Sequence, residues 1–484
     1  MRSDSRSPLA CTLEVKSRLI RLTKMKTTLP PLLLTRLAAG IFLFITVGDA
    51  GHSLWSAPAA SPVSAPVLQK TVSKVLLTVA TEKADALYRC GEEVRFVIQL
   101  TSEGVALGSN DVAWTLSKDG LPSHQSGIVK LQDGKATITG VLNEPGFLQC
   151  RVKLEGATGV DAGAGGSVLG GAGVDPRQIK PSLPVPGDFD EYWSELKGRL
   201  AKVPMNPKLV EVASPIKNGD AFDLKLDSVG APVSGYFVRP RGAAPKSLPA
   251  ILTVHGAGVR SASLGGSGGW AAQGFLALDI NAHGLPNGEK EDFYKALADG
   301  ELKDYRVRGR GSRDTIYFQG MFLRLVRAID FLTSQPEWDG AVMVVHGSSQ
   351  GGAQSIVAAG LDPRVTFYAA GVPAMCDHTG FKAGRINGWP KFIATGETPD
   401  DSISNAVRYY DAMNFASRIR VPGVMTVGFI DATCPPTSVY AAFNAVSAEK
   451  EIFNDPPSGH SVSAKAGESM RAAILKHVQQ KKVR

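Results

Sequence analysis

The run Val342-Met343-Val344-Val345-His346-Gly347-Ser348-Ser349-Gln350-Gly351-Gly352 constrains this chain more than any other stretch. Its four leading apolar residues, three of them valine, predict a buried strand. Ala353-Gln354-Ser355-Ile356-Val357-Ala358-Ala359 follows and predicts a helix. Between them sits a G-x-S-x-G pentapeptide: Gly347, Ser349 and Gly351. A strand, a turn this tight and a helix in succession push the serine hydroxyl out above a sheet, because glycines two positions either side leave room for the bend. The pentapeptide alone would mean little among 52 glycines. In this setting it predicts a nucleophilic Ser349, with the Gln350 N–H and the positive helix end aimed at a developing oxyanion.

Chain order supplies the partners. In hydrolase sheets of this kind the acid and then the histidine come after the serine. Downstream, Val421-Pro422-Gly423-Val424-Met425-Thr426-Val427-Gly428-Phe429-Ile430-Asp431 reads as an apolar strand ending in an aspartate. Glu451-Ile452-Phe453 then leads to Asp455-Pro456-Pro457-Ser458-Gly459-His460, a histidine on the loop after the last strand. Asp431 holding one imidazole nitrogen would leave the other to take a proton from Ser349. Of the eight histidines only His477 also follows Asp431, and it is expected on the solvated side of an amphipathic helix. No H-E-x-x-H or His/Cys cluster at ligand spacing occurs, so neither metal nor cofactor is implied.

Upstream, Pro249-Ala250-Ile251-Leu252-Thr253-Val254-His255-Gly256-Ala257-Gly258 is a strand running into an HGxG turn. That turn supplies the second oxyanion donor, assigned to the Ala257 N–H beside that of Gln350. His255 reads as structural. Gly274-Phe275-Leu276-Ala277-Leu278-Asp279-Ile280-Asn281 is the next strand. Strands alternating with helices predict an α/β-hydrolase fold with a doubly wound, mostly parallel sheet.

Residues 188–484 resemble the acetyl xylan esterase/cephalosporin-C deacetylase family, carbohydrate esterase family seven. The matching pieces are Phe189-Asp190-Glu191-Tyr192-Trp193, Gly235-Tyr236-Phe237-Val238-Arg239-Pro240, Arg327-Ala328-Ile329-Asp330-Phe331-Leu332, the Gly347–Gly352 elbow, Gly428-Phe429-Ile430-Asp431, Pro435-Pro436 and Gly459-His460. The resemblance implies an esterase that removes acetyl groups from acetylated sugars, with Ser349, Asp431 and His460 as its triad. Three positions depart from the family pattern. Asn281-Ala282-His283 stands where Arg-Gly-Gln is usual, Ala257 where an aromatic residue follows His-Gly, and Ser461 where a glutamate follows the histidine. His283 is thereby expected either to reach a sugar hydroxyl from the pocket wall or to stabilise its own loop. Trp389, with Met375 and Phe429, is expected to crowd the acyl side.

The remaining chain divides by texture. With 484 residues, two or three domains are expected. The net charge is +8, but residues 1–59 carry eight Lys/Arg and three Asp/Glu, leaving +3 elsewhere. With no basic stripe bearing aromatics, nucleic acid is not an expected partner. Residues 1–59 read as an export leader. Lys24, Lys26 and Arg36 precede the apolar run 37–47, which is short for a membrane span, and small-residue cleavage sites follow. A periplasmic or extracellular enzyme without stable membrane association is expected once the leader is removed. Residues 66–155 show short alternating segments around Lys118-Asp119-Gly120 and Gln132-Asp133-Gly134 turns, the pattern of a small immunoglobulin-like β-sandwich. Its expected role is packing or spacing. Residues 156–187, rich in Gly and Ala and then Pro, read as a linker to the hydrolase at 188–484.

Once Cys11 leaves with the leader, four cysteines remain, and export permits two disulfides. Adjacent strands suggest a Cys376–Cys434 bridge, and Cys90 and Cys150, which both lie in the sandwich, suggest a second pair, though three connectivities are open. The function expected is a serine esterase acting on small acylated sugars or polysaccharides, and a homo-oligomer is compatible with the sequence. The alternatives are a dienelactone-hydrolase-like enzyme, a prolyl-oligopeptidase-type peptidase and, in another class, a non-catalytic carbohydrate-binding protein.

Overall fold

The computed structural model describes residues 75–103, 105–107, 110–154, 160–161 and 166–482. The expected leader and Cys11 lie outside these residues. The described residues cluster as one compact unit. No helix among the described residues is long and apolar enough to cross a membrane.

A nine-stranded sheet organises the larger part. Its strands are β1 (Lys208–Glu211), β2 (Gly219–Leu226), β3 (Val233–Pro240), β4 (Leu248–Val254), β5 (Leu276–Ile280), β6 (Trp338–Ser348), β7 (Phe367–Gly371), β8 (Gly423–Gly428) and β9 (Lys450–Asp455). Their spatial order is β1-β2-β3-β5-β4-β6-β7-β8-β9. From β5 to β9 every pairing is parallel, and β1, β2 and β3 add an antiparallel edge. The central strands are apolar on both faces, as a sheet covered by helices on both sides requires. The covering helices include α1 (Phe189–Ala201), α2 (Leu264–Ala271), α3 (Phe318–Ser334), α4 (Gln350–Leu361), α5 (Pro436–Ala445) and α6 (Ala464–Lys482). The mostly parallel α/β sheet expected from the strand–helix alternation is therefore present.

Two smaller five-stranded sheets precede it. One contains Val75–Thr81, Glu93–Ser102 and Lys135–Val141; the other contains Asp111–Lys118, Gln125–Lys130, Gly146–Leu154 and Ser167–Val174. Phe96, Ile98, Leu100, Leu116, Leu148, Cys150 and Val152 are buried in a common core between them. Alternation puts every second residue of Glu93–Ser102 into that core.

Part of the expected linker is a strand. Ser167–Val174 pairs antiparallel with Gly146–Leu154 along its whole length. Its glycines serve close packing. A Cβ at Gly170 would stand 3.2 Å from the Val79 carbonyl, and one at Gly171 would stand 2.8 Å from the Phe429 carbonyl oxygen. Small residues that read as flexibility are here the condition for two backbones to touch.

The four described cysteines are free thiols, so neither expected disulfide is present. The Cys376 thiol is turned onto the Pro373 and Ala374 carbonyls of its own loop, at 3.8 and 3.3 Å. Cys434 lies beside Asp431 and His460 instead. Cys150 is sealed in the core between the small sheets, and Cys90 sits half-buried on a loop whose N–H is held by Asp175. His477 also differs from expectation. It is 4% exposed, on the face of α6 that packs on the sheet, with Nε2 3.1 Å from the Thr366 hydroxyl.

One buried acid ties the small sheets to the large one. Asp119 accepts the Phe147 N–H and the Thr437 hydroxyl, and burial pushes its carboxyl up to about 7. Its proton is therefore held more tightly in the folded than in the unfolded chain. Stability from this site is full below the ordinary carboxylate range and is lost as pH rises toward 7. Asp119→Asn keeps both acceptor bonds without ionising. Above pH 7 it is expected to be more stable than wild type by an amount on the order of 1–4 kcal/mol. Melting curves between pH 4 and 9 check this; parallel curves for the two proteins would contradict it.

Candidate active site

Ser349 sits between the end of β6 and the start of α4 with φ 57° and ψ −121°. A non-glycine residue in the positive-φ region costs about 1–3 kcal/mol, which the surroundings must hold in place. They do so with backbone bonds. Ser349 N–H donates to the Gly371 carbonyl at 2.8 Å, and its own carbonyl accepts from Ala353 and Ala374. The two flanking glycines are needed for space. A Cβ at Gly347 would stand 2.5 Å from the Val254 carbonyl oxygen, and one at Gly351 only 2.1 Å from it.

His460 reaches this serine from the loop after β9, its Nε2 2.9 Å from Ser349 Oγ. Its Nδ1 lies 2.8 Å from Asp431 Oδ2. Asp431, on the turn after β8, is 1% exposed, and its other oxygen accepts the Thr433 and Cys434 N–H groups, both at 2.8 Å. A carboxylate acceptor at Nδ1 favours the tautomer with the proton there, leaving Nε2 as an acceptor for the serine hydroxyl. The two loops are fastened together: Ile430 N–H donates to Ser458 and Phe429 N–H to Asp455. Gly428 is where they cross, for a Cβ there would stand 2.3 Å from the Ser458 carbonyl oxygen.

The turn after β4 closes the other side. Gly256 packs against the serine, with a built Cβ 3.5 Å from Ser349 Cβ. His255 has the structural role expected of it. Its Nδ1 lies 2.6 Å from the Gly256 carbonyl, and its Nε2 accepts the Ala282 N–H at 3.1 Å. Burial lowers its pKa to about 4, so the ring stays neutral and keeps both bonds. Gln350 opens α4, so its N–H has no acceptor within the helix. Its side chain is held away by the Tyr305 hydroxyl, which donates to Oε1 at 3.0 Å.

A cavity of ≈ 500 Å³ opens over the serine, lined by Gly256, Ala257, Arg260, Trp389, Thr433 and Val462 among others. Trp389 is thus on the wall, as the sequence suggested, held by its N–H to Thr433 and its carbonyl to Met375. His283 is not. It is 3% exposed, its Nδ1 is 2.8 Å from the Tyr317 hydroxyl, and Tyr305 packs edge-on against it at 4.7 Å. A buried neutral ring beneath the site, with burial lowering its pKa to about 3, supports the floor instead of touching solvent. Arg260 is a wall residue that the sequence reading passed over. Its place two residues after the HGxG turn is the signal that could have found it.

Among the described residues, one group of His, Cys and acidic side chains has ligand atoms within 4.8 Å of one another: Asp431, Cys434 and His460. Two of its members are already bonded to each other. Chemically, the arrangement can deliver a serine oxygen to an electrophilic carbon, accept its proton on an imidazole and return that proton to a leaving group.

Comparison with known proteins bears on which electrophile. Residues 176–476 match the family model described as acetyl xylan esterase (AXE1). The chain is 33% identical over 403 residues to the acetyl esterase Axe7A of Xylanibacter ruminicola, covering 82% of this chain and 89% of that protein. Among solved structures, an acetyl xylan esterase from Paenibacillus sp. R4 superposes with a TM-score of 0.55 at 27% identity, over 62% of this chain and 98% of that one. Acetyl xylan esterase 1 from Thermoanaerobacterium sp. JW/SL YS485, at 23% identity, has the same fold with a TM-score of 0.55 over 62% of this chain and 97% of its own. The two structural matches cover 62% of this chain, and the match to the Xylanibacter protein covers 82%. The chain belongs to the acetyl xylan esterase family.

Proposed function

We propose that this protein is an exported serine esterase that removes acetyl groups from acetylated sugars through an acyl-enzyme. The observation that carries the reading is the unbroken chain Ser349 Oγ–His460 Nε2, His460 Nδ1–Asp431 Oδ2, at 2.9 and 2.8 Å, with the serine on a strained elbow. In the first step Ser349 Oγ attacks the acetyl carbonyl and His460 takes its proton. The negative oxygen of the tetrahedral intermediate faces the N–H groups of Gln350 and Ala257. Collapse breaks the ester bond, and His460 gives its proton to the departing sugar oxygen. Water then repeats the sequence on the acyl-serine, releasing acetate and regenerating the hydroxyl. Asp431 stabilises the imidazolium in both halves, and no cofactor enters the route.

The acetylated sugar follows from family membership, and export from the leader-like residues 1–59. The N-terminal unit is read as immunoglobulin-like on the strength of its two packed sheets of short, mostly antiparallel strands. Trp389 on the cavity wall favours a short acyl group, while Ala257, small where the family has an aromatic residue, widens the same space. One missing side chain in an apolar pocket shifts preference by roughly 10–200-fold. Acetyl esters are expected to be hydrolysed faster than butyryl and longer ones, and acetate is expected to be released from acetylated xylo-oligosaccharides. A series of aryl esters with acyl chains of two to eight carbons, ranked by kcat/KM, tests this. A maximum at six or eight carbons would refute the deacetylase reading.

A further inference from the structure

We infer that the N-terminal two-sheet unit is part of the catalytic apparatus: Gln149, Phe147, Asp119 and Gly171 position the turn that carries Asp431. The inference rests on the reading of Asp431 as the triad acid. Gln149, on strand Gly146–Leu154, is 7% exposed, and its Nε2 donates to the Phe429 carbonyl at 3.2 Å. That carbonyl lies two residues before Asp431. Phe147 stacks edge-on against the Phe429 ring at 4.9 Å and tilts over Tyr440 of α5 at 5.6 Å. Asp119 accepts the Thr437 hydroxyl in the first turn of α5. Gly171, on the glycine-rich strand, leaves no room for a Cβ against the Phe429 backbone, whose carbonyl oxygen would be 2.8 Å away.

These contacts converge. The turn from Phe429 to Pro435 is gripped at its entry, Phe429, and at its exit, Thr437, by residues of the N-terminal unit. The hydrolase part holds the same turn through Phe429 N–H to Asp455, Ile430 N–H to Ser458 and Trp389 N–H to Thr433, so both units fix it. A mere spacer would need no buried hydrogen bonds to one turn. Positioning does, because an active-site group displaced by about 1 Å from a distant change can lower turnover roughly 10²-fold. Gln149 and Gly171 touch neither substrate nor the reacting atoms, so both are positioning residues.

The test uses the full chain and 4-nitrophenyl acetate, with active sites counted by organophosphate labelling of Ser349 run to completion. Counting sites this way removes any contribution from unfolded molecules. In Gln149→Leu and Gly171→Ala, kcat per labelled site is expected to fall about 10- to 100-fold with KM changed less than about twofold. Ile98→Val, in the core between the small sheets and away from the boundary, is expected to lower the Tm with kcat per site unchanged. If Gly171→Ala does not fold, Gln149→Leu decides alone. A kcat per site within twofold of wild type in the Gln149 variant overturns the inference and leaves the triad reading standing. Activity retained by Ser349→Ala overturns both.

Discussion

Ser349→Ala is expected to lower turnover of an aryl acetate by roughly 10⁴- to 10⁶-fold. The size follows from the geometry. His460 Nε2 has one protein partner on this side, the serine oxygen at 2.9 Å, and without it there is no group to carry the acyl intermediate. What survives is binding and the oxyanion donors, which leave about 10³–10⁴ of acceleration over water. On the proposed reading those donors are the Gln350 and Ala257 backbone N–H groups, which the variant keeps, so KM is expected to change little. Organophosphate labelling should disappear with the hydroxyl. Steady-state kinetics and intact-mass analysis of the labelled protein check both, and near-normal activity would remove Ser349 from the reaction.

Asp431→Asn is the second large effect, a fall in kcat of about 10⁴-fold. The Asp431 carboxylate offers one oxygen to His460 Nδ1 and the other to the Thr433 and Cys434 N–H groups. An amide can satisfy those two donors only through its carbonyl oxygen, which leaves its NH₂ facing the imidazole. The ring must then present a lone pair at Nδ1 and carry its proton at Nε2, where it opposes the serine hydroxyl instead of accepting from it. The backbone bonds are preserved, so the variant should fold and bind. A drop of less than tenfold would mean that another acid orients His460.

The elbow and the hydrogen-bonded row Ser349–His460–Asp431 were legible because the constraints that place them are local. A tight turn around Ser349 needs glycine at 347 and 351, and chain order then points to the ends of later strands. The glycine turn after β4, packed against Ser349, was legible for the same reason. Residues whose roles depend on what packs over them were not. Asn281-Ala282-His283 stands where the resembled family has Arg-Gly-Gln, which suggested a wall position for His283, but Tyr305 and Tyr317 come from a long excursion between β5 and α3 and cover it. His477 was placed on the wrong face because α6 has little amphipathic contrast to orient it. The cysteines failed for a sharper reason. Neighbouring strands bring Cys376 and Cys434 to the same edge, where both remain thiols and Cys376 bonds instead to the Pro373 and Ala374 carbonyls of its own loop. Composition misled most at Ser167–Val174, where glycine signals either a loose chain or a crowded one, and only the partner strand tells which.

The crowding at Gly171 has a consequence for how this protein can change over time. Most packing constraints couple two positions, so that a bulkier residue at one is tolerated once the other shrinks. Here the obstacle is a carbonyl oxygen of the main chain as well as the Phe429 Cβ, and every residue type carries that oxygen. No replacement at 429 can make room. A survey of natural variants would therefore find position 171 fixed without a covarying partner, and methods that infer contacts from paired substitutions would not register this one.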